Sequence, residues 1–215
     1  MRSATQPTTK QPRWRQQAAA LSVFAAVRGL LAAGFQNKLA LRGGVAIGDL
    51  DEVGFSPDTI NAASWTARFE GLIGEALVSA YRLESECDWS GAVVSDELAA
   101  WLQSIVMLEH GDQDLSLLEN CVLTGLLFLT RAPIKEREPA GKTTVRHERR
   151  WAINWPFLQM HFEWNLRPDQ VVEAFSSFGR AVDETTQAKR DETLAFMERA
   201  EEESAVTRTR LSSAS

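Results

Sequence analysis

The sequence predicts an α+β fold: one sheet with helices on one face and a helical extension at the C-terminus. Three observations lead there. Hydrophobic residues make up 44% of the 215-residue chain and charged residues 24%, the balance of a chain that buries a core. The apolar patterns run helix, strand, strand, helix, strand, helix, strand, strand, helix, helix, with no repeat and no strict strand–helix alternation. The length suits one domain of ordinary core size with a helical appendage.

Residues 1–12 are polar, contain Pro7 and Pro12, and read as a disordered tail. Trp14 to Phe35 reads as a helix with Leu21, Phe24, Leu31 and Phe35 on one face; Gly34 and Gln36-Asn37 end it. Leu39 to Gly48 reads as a strand, Gly48-Asp49 as the start of a loop and Ser56-Pro57-Asp58 as a turn. A short strand is expected at Ala67–Ile73. A helix follows from Gly74 to Glu86, burying Ala76, Leu77, Ala80 and Leu83. Ala92-Val93-Val94 is a strand, and Ser95-Asp96-Glu97 opens a helix with an N-cap hydroxyl and acids in its first turn. Val122–Thr130 reads as an apolar strand, residues 135–149 as a charged mobile loop around Pro139-Ala140-Gly141, and His147–Trp155 as a strand. Helices are expected at 168–182 and 184–203, then a Ser/Thr-rich tail over 204–215. The implied organisation is a domain over 13–155, an extension over 156–203 and a disordered tail at each end.

Charge is unevenly spread. Residues 1–48 hold seven basic residues and no acid, and the rest of the chain holds 16 basic and 29 acidic residues. The acidic remainder argues against nucleic acid as a partner. Cys87 and Cys121 form no CxxC or Cys/His pattern and read as buried thiols in a reducing compartment, so a cytoplasmic location is expected. His110, His147 and His161 are too scattered for a zinc motif. The seven Trp are scattered too and define no site. Ala18–Phe35 is interrupted only by Ser22 and Arg28; its uncharged run, Ala18–Val27, is too short for a stable membrane span. A core helix and a targeting segment both fit that run.

Four strings in order carry a resemblance: Arg42-Gly43-Gly44-Val45-Ala46-Ile47-Gly48; Gly74 through Glu84; Ala92-Val93-Val94-Ser95; and Trp151-Ala152-Ile153-Asn154-Trp155-Pro156 followed by Lys189 to Phe196. The first resembles an "RGGIAIG" strand and the second a "GPALxxAYxLE" helix of class III nucleotidyl cyclase catalytic domains, in a bacterial branch that includes the Pycsar pyrimidine cyclases of antiphage defence. The resemblance covers roughly residues 13–200 and implies a partial cyclase-like, ferredoxin-like sheet. It implies a parent lyase activity, in which the 3′-hydroxyl of a nucleoside triphosphate attacks the α-phosphorus and pyrophosphate leaves. The products expected for this branch are cyclic UMP or cyclic CMP. Mg²⁺ or Mn²⁺ held by two aspartates serves the intact family member, and the site forms between two protomers of a dimer.

In this family both metal aspartates precede the Arg-Gly-Gly strand, where this chain has no acid before Asp49. The expectation is therefore a chain that lacks the metal-binding part, has no metal ligands and is inactive or truncated as written. Asp49, Asp51 and Glu52 read as solvated loop charges. Arg82 matches the arginine that stabilises charge on the phosphates; its alternative is a surface arginine beside Glu84 or Glu86. Arg42, Gly43, Gly44, Gly71 and Gly74 are the candidate nucleotide-binding residues. Gly71 stands where purine-selecting relatives carry an aspartate, which favours a pyrimidine, and Val78 where many carry an asparagine. Arg42 faces phosphate or pairs with a local acid, and Asn154 is a polar site residue or a buried structural amide. The expected partners are a nucleoside triphosphate and either a second copy or a complete cyclase. The alternatives are a non-catalytic, heterodimerising homologue and an unrelated α+β protein with a basic membrane-surface helix.

Overall fold

The computed structural model of the chain describes residues 13–49, 51–55, 69–107, 115–137, 143–156, 166–177 and 182–213. The tail expected at 1–12, the turn at Ser56-Pro57-Asp58 and the Pro139-Ala140-Gly141 segment lie outside them. Helix α1 (Arg13–Gln36) leads to strand β1 (Gly43–Val45), the hairpin β2 (Asp51–Phe55) and β3 (Phe69–Ile73), helix α2 (Glu75–Glu86), strand β4 (Ala92–Val94) and helix α3 (Asp96–Ser104). Two short strands, β5 (Val106–Met107) and β6 (Leu115–Ser116), precede helix α4 (Leu117–Leu123). Long strands β7 (Leu127–Arg137) and β8 (Thr143–Ile153) and helices α5 (Pro168–Ser176) and α6 (Glu184–Ser213) complete the described chain.

The main sheet has the order β1-β4-β8-β7. β1 runs parallel to β4, with Gly44 opposite Val93. β4 meets β8 antiparallel at Val93↔Ala152, and β7 and β8 pair from Leu127↔Ile153 to Arg137↔Thr143. This is the α+β class read from the sequence. The helices, however, cover both faces of the sheet rather than one. Ala92, Val93, Val94, Ala152 and Ile153 are each 0% exposed, and successive strand residues point to opposite faces. α2 lies over the Gly44 side, while Phe24 of α1 and Leu98 and Trp101 of α3 gather with Val45 on the other.

The core is tied together by aromatic rings from distant parts of the sequence. Phe35 at the end of α1 stacks on Trp155 with centroids 4.4 Å apart. Phe196 of α6 packs against Trp89 at 4.1 Å and Phe128 at 5.0 Å. Trp155 and Phe196 lie 5.9 Å apart. The first and last helices are thus fastened to the sheet through one cluster. Polar contacts follow the same path: the Ser90 amide donates to Thr193 Oγ1 at 3.0 Å, and Lys38 pairs with Glu173 at 2.6 Å.

Several elements differ from the sequence reading. Leu117–Leu123 is helical because Ser116 and Glu119 form a capping box. Ser116 Oγ accepts the Glu119 amide at 3.2 Å and Glu119 Oε2 accepts the Ser116 amide at 2.7 Å, satisfying two donors at the helix start. The charged stretch expected as a loop over 135–149 forms the arms of the β7–β8 hairpin. Its charges pair in strand fashion: Glu136 with Arg146 at 3.3 Å, Arg150 with Glu148 at 2.7 Å, and Arg146 also with Glu148. Asp51–Phe55, read as loop, is a strand paired to β3. α5 stops at Ser176, short of 182, and α6 continues to Ser213, into the segment read as a tail.

Candidate functional site

The two strongest motifs of the sequence meet face to face. A Cβ on Gly44 would come within 2.4 Å of the Ala80 carbonyl oxygen and 2.7 Å of Leu83 Cβ, and one on Gly48 within 2.8 Å of the Ala76 amide nitrogen. Glycines at these two positions let α2 lie directly on β1 and its continuation. The Ala76 amide donates to the Asp49 carbonyl at 3.3 Å, fixing the start of the helix. Gly43 is less constrained, its Cβ direction meeting only Ala92 Cβ at 3.9 Å. Gly74 is the residue that precedes α2, and Gly71 sits in β3 opposite Val53.

Arg42 and Arg82 occupy different settings. Arg42 pairs through Nε with Glu84, and its Nη1 donates to the Cys87 carbonyl at 3.2 Å. It therefore ties the start of β1 to the end of α2, through an acid that is distant in sequence rather than a local one. Arg82 points outward with its side chain 80% exposed, and its Nε donates to Glu86 at 3.0 Å, one turn along the helix. An exposed pair of this kind contributes little and releases easily.

Arg82 lines a polar cleft of 250 Å³ between α2, the start of α3 and β8, with Ser79, Glu86, Asp96, Glu97 and Arg150. Arg150 donates to Asp96 Oδ2 at 3.0 Å and Glu148 Oε2 at 2.7 Å. The sequence reading missed Arg150. Its signal was the period-two series Arg146, Glu148, Arg150, which a strand places on one side. Ser95 caps α3 as expected, accepting the Leu98 amide at 3.1 Å.

On the same outer side of α2, Leu77, Val78 and Tyr81 are 47%, 64% and 72% exposed. Leu77, expected in the buried stripe, faces solvent, and no residue of α2 is fully buried. Asn154 is 3% exposed, and its backbone N–H donates to the Leu126 carbonyl at 2.9 Å.

No group of three His, Cys, Asp or Glu side chains that could hold a metal ion converges among the described residues. Burial pushes the thiols of Cys87 and Cys121 up to about 12, so both stay protonated at neutral pH.

No family model, no curated protein and no solved structure matches the chain.

Proposed function

We propose that this chain is a nucleotidyl cyclase-like protein that binds a nucleoside triphosphate, preferentially a pyrimidine, at the outer face of α2, in a site completed by another protomer. The observation that carries the reading is Arg82, turned to solvent beside the uncovered apolar residues Leu77, Val78 and Tyr81. An arginine held only by a one-turn ion pair is free to engage phosphate oxygens. The apolar residues around it need a cover, which a second copy or a complete cyclase supplies.

In this arrangement the chain contributes the charge-stabilising arginine, and metal-binding carboxylates come from a complete cyclase as the other protomer; a pair of two copies of this chain lacks them. Alone, the protein binds nucleotide but makes no cyclic product. The parent reaction joins the 3′-oxygen to the α-phosphorus with loss of pyrophosphate, and cyclic UMP or cyclic CMP is the expected signal, in a cytoplasmic defence system. Gly44 of the Arg-Gly-Gly strand acts indirectly, by seating α2.

Binding of UTP, CTP, ATP and GTP to the purified chain tests the reading, together with product analysis by mass spectrometry with Mn²⁺. Pyrimidine binding that weakens about tenfold in Arg82→Ala, the loss expected for one charge-assisted contact, supports it. Absence of nucleotide binding, or binding indifferent to Arg82, refutes it. Cyclic product from the chain alone refutes the assignment of the metal site to another protomer.

A further inference from the structure

The polar cleft beside α2 holds a second arginine, and strand register puts it there. Gly44 lies opposite Val93, and Val93 opposite Ala152, so Ala152 faces the α2 side of the sheet, as Gly44 does. Arg150, two residues earlier on β8, points the same way. The antiparallel register carries it to the level of Ser95, the cap of α3. There it lines the 250 Å³ cleft with Arg82, Ser79, Glu86, Asp96 and Glu97. One wall of the cleft thus supplies an arginine from a helix and another wall an arginine from a strand.

The partners of Arg150 hold it unequally. Glu148 accepts from Nη2 at 2.7 Å and also pairs with Arg146, so its single charge is shared between two guanidinium groups. The side chains of Arg150 and Glu148 are each 20% exposed, and this pair fixes where Arg150 stands. Asp96 accepts from Nη1 at 3.0 Å, with its own side chain 73% exposed. A carboxylate that exposed is held weakly and can turn to solvent. Arg82 and Glu86 form a pair of the same kind, with the arginine side chain 80% exposed.

Each cleft arginine therefore carries a carboxylate that a stronger anion can replace. Phosphate oxygens accept from the planar guanidinium fork in pairs, and a chain of phosphates reaches both arginines at once. Glu86, Asp96 and Glu97 act against such a ligand, because each adds a negative charge to the cleft.

We propose that Arg150 is the second phosphate-binding residue of this cleft, gripping a polyphosphate chain together with Arg82, and that Asp96 and Glu86 are the resident anions the phosphates displace. The inference rests on the nucleotide reading above and adds to it the second anchor of the phosphate chain and the groups that limit its affinity.

Calorimetric titration of the full chain with inorganic triphosphate and with UTP tests it. Arg150→Gln is expected to weaken both about tenfold, the loss of one charge-assisted contact. Asp96→Asn leaves Arg150 on Glu148 and is expected to tighten both about threefold, by releasing Nη1 from an exposed pair and removing a like charge. A variant that merely damages the cleft binds more weakly, so the gain in Asp96→Asn separates displacement from misfolding. Binding that depends on Arg82 but is indifferent to Arg150, or that Asp96→Asn weakens, overturns the inference and leaves the nucleotide reading standing. Absence of binding by either ligand overturns both. Triphosphate binding with the expected responses, but without preference for UTP over ATP, supports the two-arginine grip and removes the base preference from the nucleotide reading.

Discussion

The carbonyl oxygen of Ala80 stands 2.4 Å from the point that a Cβ on Gly44 would occupy. That distance explains why the Arg-Gly-Gly strand and the α2 helix form one unit: the second glycine is the seat of the helix. Backbone cannot yield as a flexible side chain does, so Gly44→Ala is expected to destabilise the fold by about 1–3 kcal/mol. Gly43→Ala, whose Cβ meets only Ala92 at 3.9 Å, is expected to be much milder. Denaturant midpoints of the two variants check the contrast; equal effects would mean that α2 does not rest on Gly44.

Arg28 is 3% exposed, and its Nε and Nη2 have no hydrogen-bond partner among the described residues. Burial lowers its pKa to about 10, so the native state disfavours the charged form. That cost is present at neutral pH and fades as pH rises through about 10. Arg28→Met keeps much of the apolar volume without the cation. It is expected to raise stability by about 1–3 kcal/mol, in line with other replacements of buried charges. A lower melting temperature for Arg28→Met would show that the guanidinium is satisfied in solution.

Sequence patterns that act over one or two turns were legible. The Ser95 cap, the strand Ala92–Val94 and helix α1 appear where composition placed them, because each is set by neighbours along the chain. Arg82 also finds its partner in an acid one turn along the same helix, Glu86, whereas Arg42 pairs with Glu84, which is distant in sequence. What was not legible depends on distant partners. Phe196 joins Trp89, Phe128 and Trp155, and no periodicity along α6 announces that meeting. The charges of Lys135–Arg149 suggested a loop because their cross-strand and tertiary partners, such as Asp88 for Lys135 at 3.0 Å, could not be seen in one strand. Leu117–Leu123 was legible in principle, through the Ser116 and Glu119 spacing, but only its end was read, as the start of a strand over Val122–Thr130 that in fact begins at Leu127.

That capping box gives a prediction on the acid side. Hydrogen bonds from the Ser116 hydroxyl and amide hold the Glu119 carboxyl below its ordinary value of 4.5. A depressed folded pKa contributes stability above the unfolded value and loses it as pH falls through the folded one. Ser116→Ala is expected to cost about 1 kcal/mol near neutrality. It should also flatten the loss of stability of the wild type below pH 4.5. Urea unfolding at pH 7 and pH 3.5 separates the two effects; a cost independent of pH would mean that Glu119 does not take part in the cap.

The two thiols act at the other end of the scale. Cys87 and Cys121 are both 0% exposed, and burial raises each from 9.0 to about 12, with smaller opposing effects of Arg42 and of Glu84 and Glu86 at Cys87. A raised folded pKa leaves stability intact below the unfolded value and removes it as pH climbs toward the folded one. Between pH 9 and pH 12 the unfolded chain therefore gains from ionising both thiols while the native state keeps them neutral. Each thiol shifts the folding equilibrium by up to about tenfold per pH unit in that window. Arg28 works in the opposite sense only as pH passes through about 10, so the interval from 9 to 10 isolates the thiols. Unfolding midpoints across that interval are expected to fall in the wild type and to fall less in Cys121→Ala, compared at equal starting stability. Native protein should leave both thiols unreactive toward a disulfide reagent at pH 8, and denatured protein should expose two. A native thiol that reacts at once would mean that Cys87 or Cys121 is not in the core.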